Sequence, residues 1–160
     1  HHLKPHHVYI AYTGNIKVGV TRDTQIPTRW IDQGATQAAI IATTPNRYLA
    51  GCIEVALKQH LKDKTAWQTM LKNGNAITED FQAITLNAQT LIPQDYTTYI
   101  EPNITPMQLH YPLSQTLTKV VSNNLDKTQT ITGTLAGIKG QYLLFDNQTS
   151  KITKSGFLSI

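Results

Sequence analysis

His7-Val8-Tyr9-Ile10-Ala11-Tyr12-Thr13-Gly14-Asn15-Ile16-Lys17-Val18-Gly19-Val20-Thr21 decides the reading of this chain. Residues 8–12 and 16–20 are β-rich runs around Thr13-Gly14-Asn15, which predicts a β-hairpin. Side chains alternate across a strand, so the turn length sets which of them share a face. A two-residue Gly14-Asn15 turn pairs Thr13 with Ile16 and puts Lys17 on the face opposite Tyr9. A three-residue loop pairs Ala11 with Lys17 and brings Tyr9 and Lys17 to one face as diagonal neighbours. The sequence admits both registers. Only the odd-length loop, or an equivalent bulge, lets Tyr9 and Lys17 work together.

Working outward, Thr24-Gln25-Ile26-Pro27 predicts a helix start with Pro in the first turn. Gly34 stops that helix after Arg29, Trp30 and Gln33. Ala38 to Thr43 predicts a short apolar strand. Pro45 is expected to open a longer helix, because Leu49, Ile53, Ala56, Leu57 and Leu61 keep a 3.6-residue period. Thr65 is expected to cap a short helix with Trp67, Met70 and Leu71, ended by Asn73-Gly74-Asn75. A further helix is expected over about 78–91. Beyond about residue 105 the runs 107–111, 117–122, 128–135, 141–146 and 152–158 are separated by Asn, Asp and Gly, which suggests a small antiparallel sheet or barrel. Pro93, Pro102 and Pro106 mark the join. The expectation is an α/β (α+β) chain with one domain over 7–92 and a small β domain over 105–160.

The chain of 160 residues is 40% apolar and 15% charged, an ordinary balance for a packed core, and no apolar run approaches a membrane span. Cys52 is the single cysteine and can form no internal disulfide, which makes a reducing interior such as the cytoplasm the expected location. The sequence begins without Met, so a region upstream of His1 is expected. The charge is uneven. Residues 1–72 hold nine Lys/Arg against four acids, whereas residues 73–160 hold five against six. A basic first half suits binding to a phosphate backbone, and a solvated basic surface would produce the same count.

His7-Val8-Tyr9 followed by Lys17-Val18-Gly19 resembles the paired motifs of the GIY-YIG nuclease superfamily, in the branch where Lys replaces the Tyr of the second motif. Arg29-Trp30 resembles that superfamily's Arg, Glu54 in Gly51-Cys52-Ile53-Glu54 its metal-binding Glu, and Lys64-Thr65-Ala66-Trp67 its later Trp-containing segment. The resemblance implies a three-stranded antiparallel sheet with flanking helices. It also implies a nuclease site made of Tyr9, Lys17, Arg29 and Glu54. His7 stands where the first motif usually has Gly. The string 8–71, with Gln25 to Ala35 and the later Gly137-Ile138-Lys139-Gly140-Gln141-Tyr142, is similar to the bacterial family called domain of unknown function 2797. This likeness covers nearly the whole chain and implies no established activity. Members of that family typically carry an upstream Cys-rich segment that looks zinc-binding, so zinc is expected only in a region outside this sequence.

The chemistry follows from the side chains as well. Hydrolysis of a phosphodiester needs an activated water, an electrophile on the non-bridging oxygens and help for the leaving alkoxide. Glu54 can hold Mg²⁺ or Mn²⁺, and one carboxylate suffices when substrate phosphate and waters complete the shell. Arg29 can grip the scissile phosphate in bidentate fashion. Tyr9 and Lys17 can hold and deprotonate the water if the metal, Arg29 and partial burial bring a pKa from about 10 towards neutrality. Each residue also has an ordinary explanation: Tyr9 as a core aromatic, Lys17 as an edge-strand gatekeeper, Arg29 on a solvated helix face, Glu54 in an i, i+4 pair with Lys58.

His60, Arg22 and Arg47 are second-tier candidates. His1, His2, His6 and His7 read as flexible surface histidines, with metal ligation the alternative. Lys119, Asn123, Asn124, Lys127 and Lys139 lie near turns and read either as solvated turns or as a nucleic-acid surface. The expected partner is DNA or RNA, with no membrane. The expected function is divalent-metal-dependent endonucleolytic hydrolysis, and the alternative is a non-catalytic nucleic-acid-binding module of the same fold.

Overall fold

The computed structural model describes residues 4–61, 66–123, 130–146 and 149–151. Its first sheet contains β1 (His6–Tyr12), β2 (Ile16–Thr21), β3 (Gln37–Thr44) and β4 (Met107–Gln108), hydrogen-bonded in the order β2-β1-β3-β4 with every pair antiparallel. The helices α1 (Thr28–Asp32), α2 (Arg47–His60), α3 (Trp67–Lys72) and α4 (Phe81–Thr90) complete the first part of the chain. β1 is central and covered on both faces, which is why it reads as an almost unbroken apolar run. Val8 and Ile10 pack with Val18 and Ile41 against Ala50, Ile53 and Leu57 of α2 and Phe81 and Ala88 of α4. Tyr9 and Ala11 point the other way, onto Trp30, Ala35 and Ala38. Each large apolar side chain so buried contributes about 1.5–3 kcal/mol.

The second sheet contains β5 (Ser122–Asn123), β6 (Leu135–Lys139), β7 (Tyr142–Phe145) and β8 (Thr149–Lys151), in the order β5-β8-β7-β6. The mixed α/β class and the antiparallel β6-β7-β8 arrangement are as expected. β5, however, runs parallel to β8. Several element bounds also differ. The helix expected to start at Thr24 is split at Ile26-Pro27 into a 3₁₀ turn, Asp23–Gln25, and α1. Asn46, not Pro45, starts α2, its side chain accepting a hydrogen bond from the Leu49 N–H at 3.0 Å. Of the run 107–111 only Met107 and Gln108 pair as strand. Residues 117–121 form none, Leu117 packing instead beneath Met70 and Tyr142. Ala136-Gly137 is a poor strand signal and concealed β6. The cap assigned to Thr65 and the strand at 152–158 lie outside the described residues. Among the described residues no helix is long and apolar enough to cross a membrane.

Residues after 105 touch the first part of the chain at specific points. β4 extends β3, and the Tyr111 hydroxyl donates to the Ala35 carbonyl at 2.8 Å. Lys139 corrects the reading of the C-terminal lysines as surface groups. Its side chain is fully buried, with Nζ donating to the carbonyls of Met70, at 2.8 Å, and Gly74 at the end of α3. Desolvation lowers its pKa to about 8 from an ordinary 10.5. Between those two values the unfolded chain binds the proton that the folded chain has released, so stability rises with pH there. Burial acts oppositely on Tyr9 and Tyr111, raising both, so above about pH 10 stability falls again. Urea midpoints measured from pH 7.5 to 10 should climb for the wild type and stay level for Lys139→Met. A level wild-type profile would show that Lys139 keeps its proton throughout.

Candidate functional site

β1 and β2 pair in the odd register, with Tyr12 opposite Ile16, Ala11 opposite Lys17 and Tyr9 opposite Gly19. The connecting loop is Thr13-Gly14-Asn15. Gly14 has φ +94°, a backbone region that residues with a Cβ rarely adopt, so the three-residue loop depends on it. Tyr9 and Lys17 therefore share a face as diagonal neighbours. Gly19 leaves room for the Tyr9 ring to lie across β2: a Cβ built there would be 2.5 Å from Tyr9 Cζ. The ring also meets Trp30 edge-on, with centroids 5.9 Å apart at 63°.

Two helices supply the rest. α1 buries Trp30 and leaves Arg29 exposed beside Tyr9, while Gln33, one turn after Arg29, accepts a hydrogen bond from the Tyr9 hydroxyl at 2.9 Å. α2 buries Ala50, Ile53 and Leu57, and Arg47, Glu54 and Lys58 form a separate stripe at i, i+7 and i+11. Arg29, Gln33 and this stripe, with Tyr9, Lys17 and Arg22, line one cleft of about 450 Å³. All four leading candidates, Tyr9, Lys17, Arg29 and Glu54, are on its wall, as are Arg22 and Arg47. His60 is not; it is exposed at the end of α2, where its cation would face the helix's negative pole. Residues that sequence reasoning left out of the site are Gln33, Lys58, His6 and Gln25. Helical spacing from Arg29 and Glu54 could have found the first two.

Among the described residues the cleft holds Lys17, Arg22, Arg29, Arg47 and Lys58 against one carboxylate, Glu54. Glu54 Oε1 accepts from Lys58 Nζ at 3.0 Å, the i, i+4 pair foreseen from the sequence, and the Glu54 side chain is 25% exposed. Like charges gathered this closely in a concave wall attract an anion. Tyr9 corrects one step of the expected chemistry. Burial raises its pKa, with Arg29 opposing and Glu54 adding to the rise. The phenol therefore stays protonated at neutral pH and acts as a hydrogen-bond donor.

His6 and His7 are buried in β1, not flexible surface groups. His7 Nε2 donates to Asp23 Oδ1 at 2.6 Å, and its Nδ1 lies 2.9 Å from Thr43 Oγ1, whose hydroxyl donates to Glu101. His7 thus anchors the 3₁₀ turn leading into α1 to the sheet, and so positions Arg29. His1, His2, Asn124 and Lys127 lie outside the described residues. Among the described residues no three His, Cys, Asp or Glu side chains gather as a metal cage. A family model described as "Protein of unknown function (DUF2797)" matches residues 1–158. No curated protein and no solved structure matches the chain.

Proposed function

The chain belongs to the DUF2797 family of proteins of unknown function, and from the cleft we propose that it is a divalent-metal-dependent nuclease of GIY-YIG type, cleaving phosphodiester bonds of DNA or RNA. The observation that carries this reading is the meeting of Tyr9, Lys17, Arg29 and Glu54 in one cationic cleft with one carboxylate.

The donor set fits Mg²⁺ or Mn²⁺ in one way only. Glu54 offers a hard oxygen and, among the described residues, no second acid lines the cleft, so the cation's other ligands would be waters and substrate phosphate. When bound, the ion would polarise a phosphoryl oxygen and acidify a water. The chain's residues supply the rest. Arg29 engages the non-bridging oxygens, a geometry its planar fork suits. Arg22 and Arg47 hold neighbouring phosphates. Tyr9, fixed by Trp30 and by the hydrogen bond it donates to Gln33, offers its hydroxyl oxygen as acceptor to the incoming water, and the Lys17 ammonium stabilises negative charge growing on the same side.

A second reading, a nucleic-acid-binding module without turnover, draws on the Lys58 ammonium that already engages Glu54 Oε1. Incubating the chain with DNA and RNA, with and without Mg²⁺ or Mn²⁺, separates the two. Metal-dependent products support the nuclease, whereas salt-sensitive binding without products supports the module. In either case Arg29→Ala should weaken oligonucleotide binding about tenfold and lower the salt slope by about one, while the exposed Lys119, outside the cleft, should change affinity little on replacement. Equal losses at the two positions would mean diffuse attraction and no site.

A further inference from the structure

The outward side of α2 is not polar. Tyr48, Gly51, Cys52 and Val55 recur at i, i+3, i+4 and i+7, with Tyr48 77% and Val55 61% exposed, and they line a shallow groove of about 850 Å³. A Cβ placed at Gly51 would meet nothing within 4 Å, so the groove floor is open. Arg47 and Glu54 line both this groove and the cationic cleft, so the two surfaces adjoin and are continuous across these side chains. From that continuity we infer that the groove receives a nucleobase of a single-stranded or locally unpaired nucleic acid, stacked on Tyr48, while its phosphate lies on the cleft; this rests on the reading of the cleft as a nucleic-acid site.

Two physical requirements meet here. Single strands are held by cations along the backbone and by aromatic faces for the bases, and the stacking is tolerant of sequence. In a duplex each base already stacks on its neighbours and faces its partner, so a platform on the rim of a phosphate cleft has nothing to accept. An unpaired base can turn onto it without that cost. The far end of the cleft repeats the pattern. Lys17 and Gln33 also line a smaller groove where Trp67 stacks on Tyr142, with centroids 5.8 Å apart at 11°. A cationic stretch with an aromatic at each end matches an extended strand, with Tyr48 the more open of the two stations.

The test uses a short fluorescein-labelled oligonucleotide, single-stranded or annealed to its complement, titrated with wild type, Tyr48→Ala, Tyr48→Phe and Arg29→Ala without divalent metal. Tyr48 is so exposed that its replacement should leave the fold intact, which circular dichroism checks. The expected result is tighter binding of the single strand than of the duplex, a loss of about tenfold in single-strand affinity for Tyr48→Ala, little change for Tyr48→Phe, and no change for the duplex. Arg29→Ala weakening the single strand while Tyr48→Ala does not would overturn the platform and leave the cleft's reading standing. No binding of either form by the wild type would overturn both. Self-association of the wild type that Tyr48→Ala removes, with affinity unchanged, would make the groove a contact between copies and overturn the inference.

Discussion

Glu54→Gln should lower metal-dependent cleavage by about 10²–10³-fold and leave nucleic-acid binding equal to or tighter than that of the wild type. The substitution keeps the side chain's size and removes the only carboxylate that lines the cleft among the described residues. With it goes the hard oxygen that Glu54 would offer a cation, so turnover falls. The five Lys and Arg side chains remain, and the one charge opposing an incoming phosphate has been neutralised. Binding and turnover therefore move in opposite directions, a result that general unfolding cannot produce. Stability should change little, because the Lys58 partner is 43% exposed and pairs of this kind contribute a few tenths of a kcal/mol. Single-turnover cleavage and anisotropy titration on the same preparation measure both quantities. Cleavage that survives the substitution, or that persists in chelator, would sink the metal assignment.

The hairpin shows what was legible in the sequence and what was not. Its two runs and its Gly-Asn turn were readable, because alternation and turn chemistry are local. Its register was not, because both loop lengths satisfy the same local rules and differ only in what each face packs against. Trp30 from α1 and Gln33 beyond it settle which face the Tyr9 ring takes. The same limit explains His7 and Lys139. Polar residues near a terminus or a turn read as solvated until the partners arrive, and those partners, Asp23, Thr43 and the carbonyls of Met70 and Gly74, are distant in sequence. The Arg47-Glu54-Lys58 stripe was readable in principle, since helical spacing is local. Glu54 and Arg47 are candidates from the sequence, and Lys58 is not, because its pairing with Glu54 explains it sufficiently. The strand expected over 128–135 was misplaced for a different reason, β6 spanning Leu135–Lys139 instead, whereas the run 141–146 does hold β7. β6 contains Ala136 and Gly137, and Gly137 backs onto Leu113, a packing reason that propensity does not carry.

Gly19→Ala should destabilise the chain by about 2–3 kcal/mol and remove most of whatever activity depends on Tyr9. Glycine at this position looks like an ordinary β2 residue facing its cross-strand partner Tyr9. The partner, however, lies flat over it: the added methyl carbon would be 2.5 Å from Cζ and 2.9 Å from Cε1 of the fully buried ring. Neither group can yield cheaply. The ring is held by Trp30 on one side and by the hydrogen bond to Gln33 at its tip, and β2 is held by its ladder to β1. Relief requires the ring to leave its rotamer or the strand to separate, and either one carries the hydroxyl away from Arg29 and Lys17. A double-mutant cycle isolates the cause. In a Tyr9→Ala background the ring is absent, so Gly19→Ala should cost at most a few tenths of a kcal/mol, giving a coupling of about 2 kcal/mol between the two positions. Chemical denaturation of the four variants reads this directly. An equal cost of Gly19→Ala in both backgrounds would place the strain in the strand itself and end the claim that Gly19 is there to seat Tyr9.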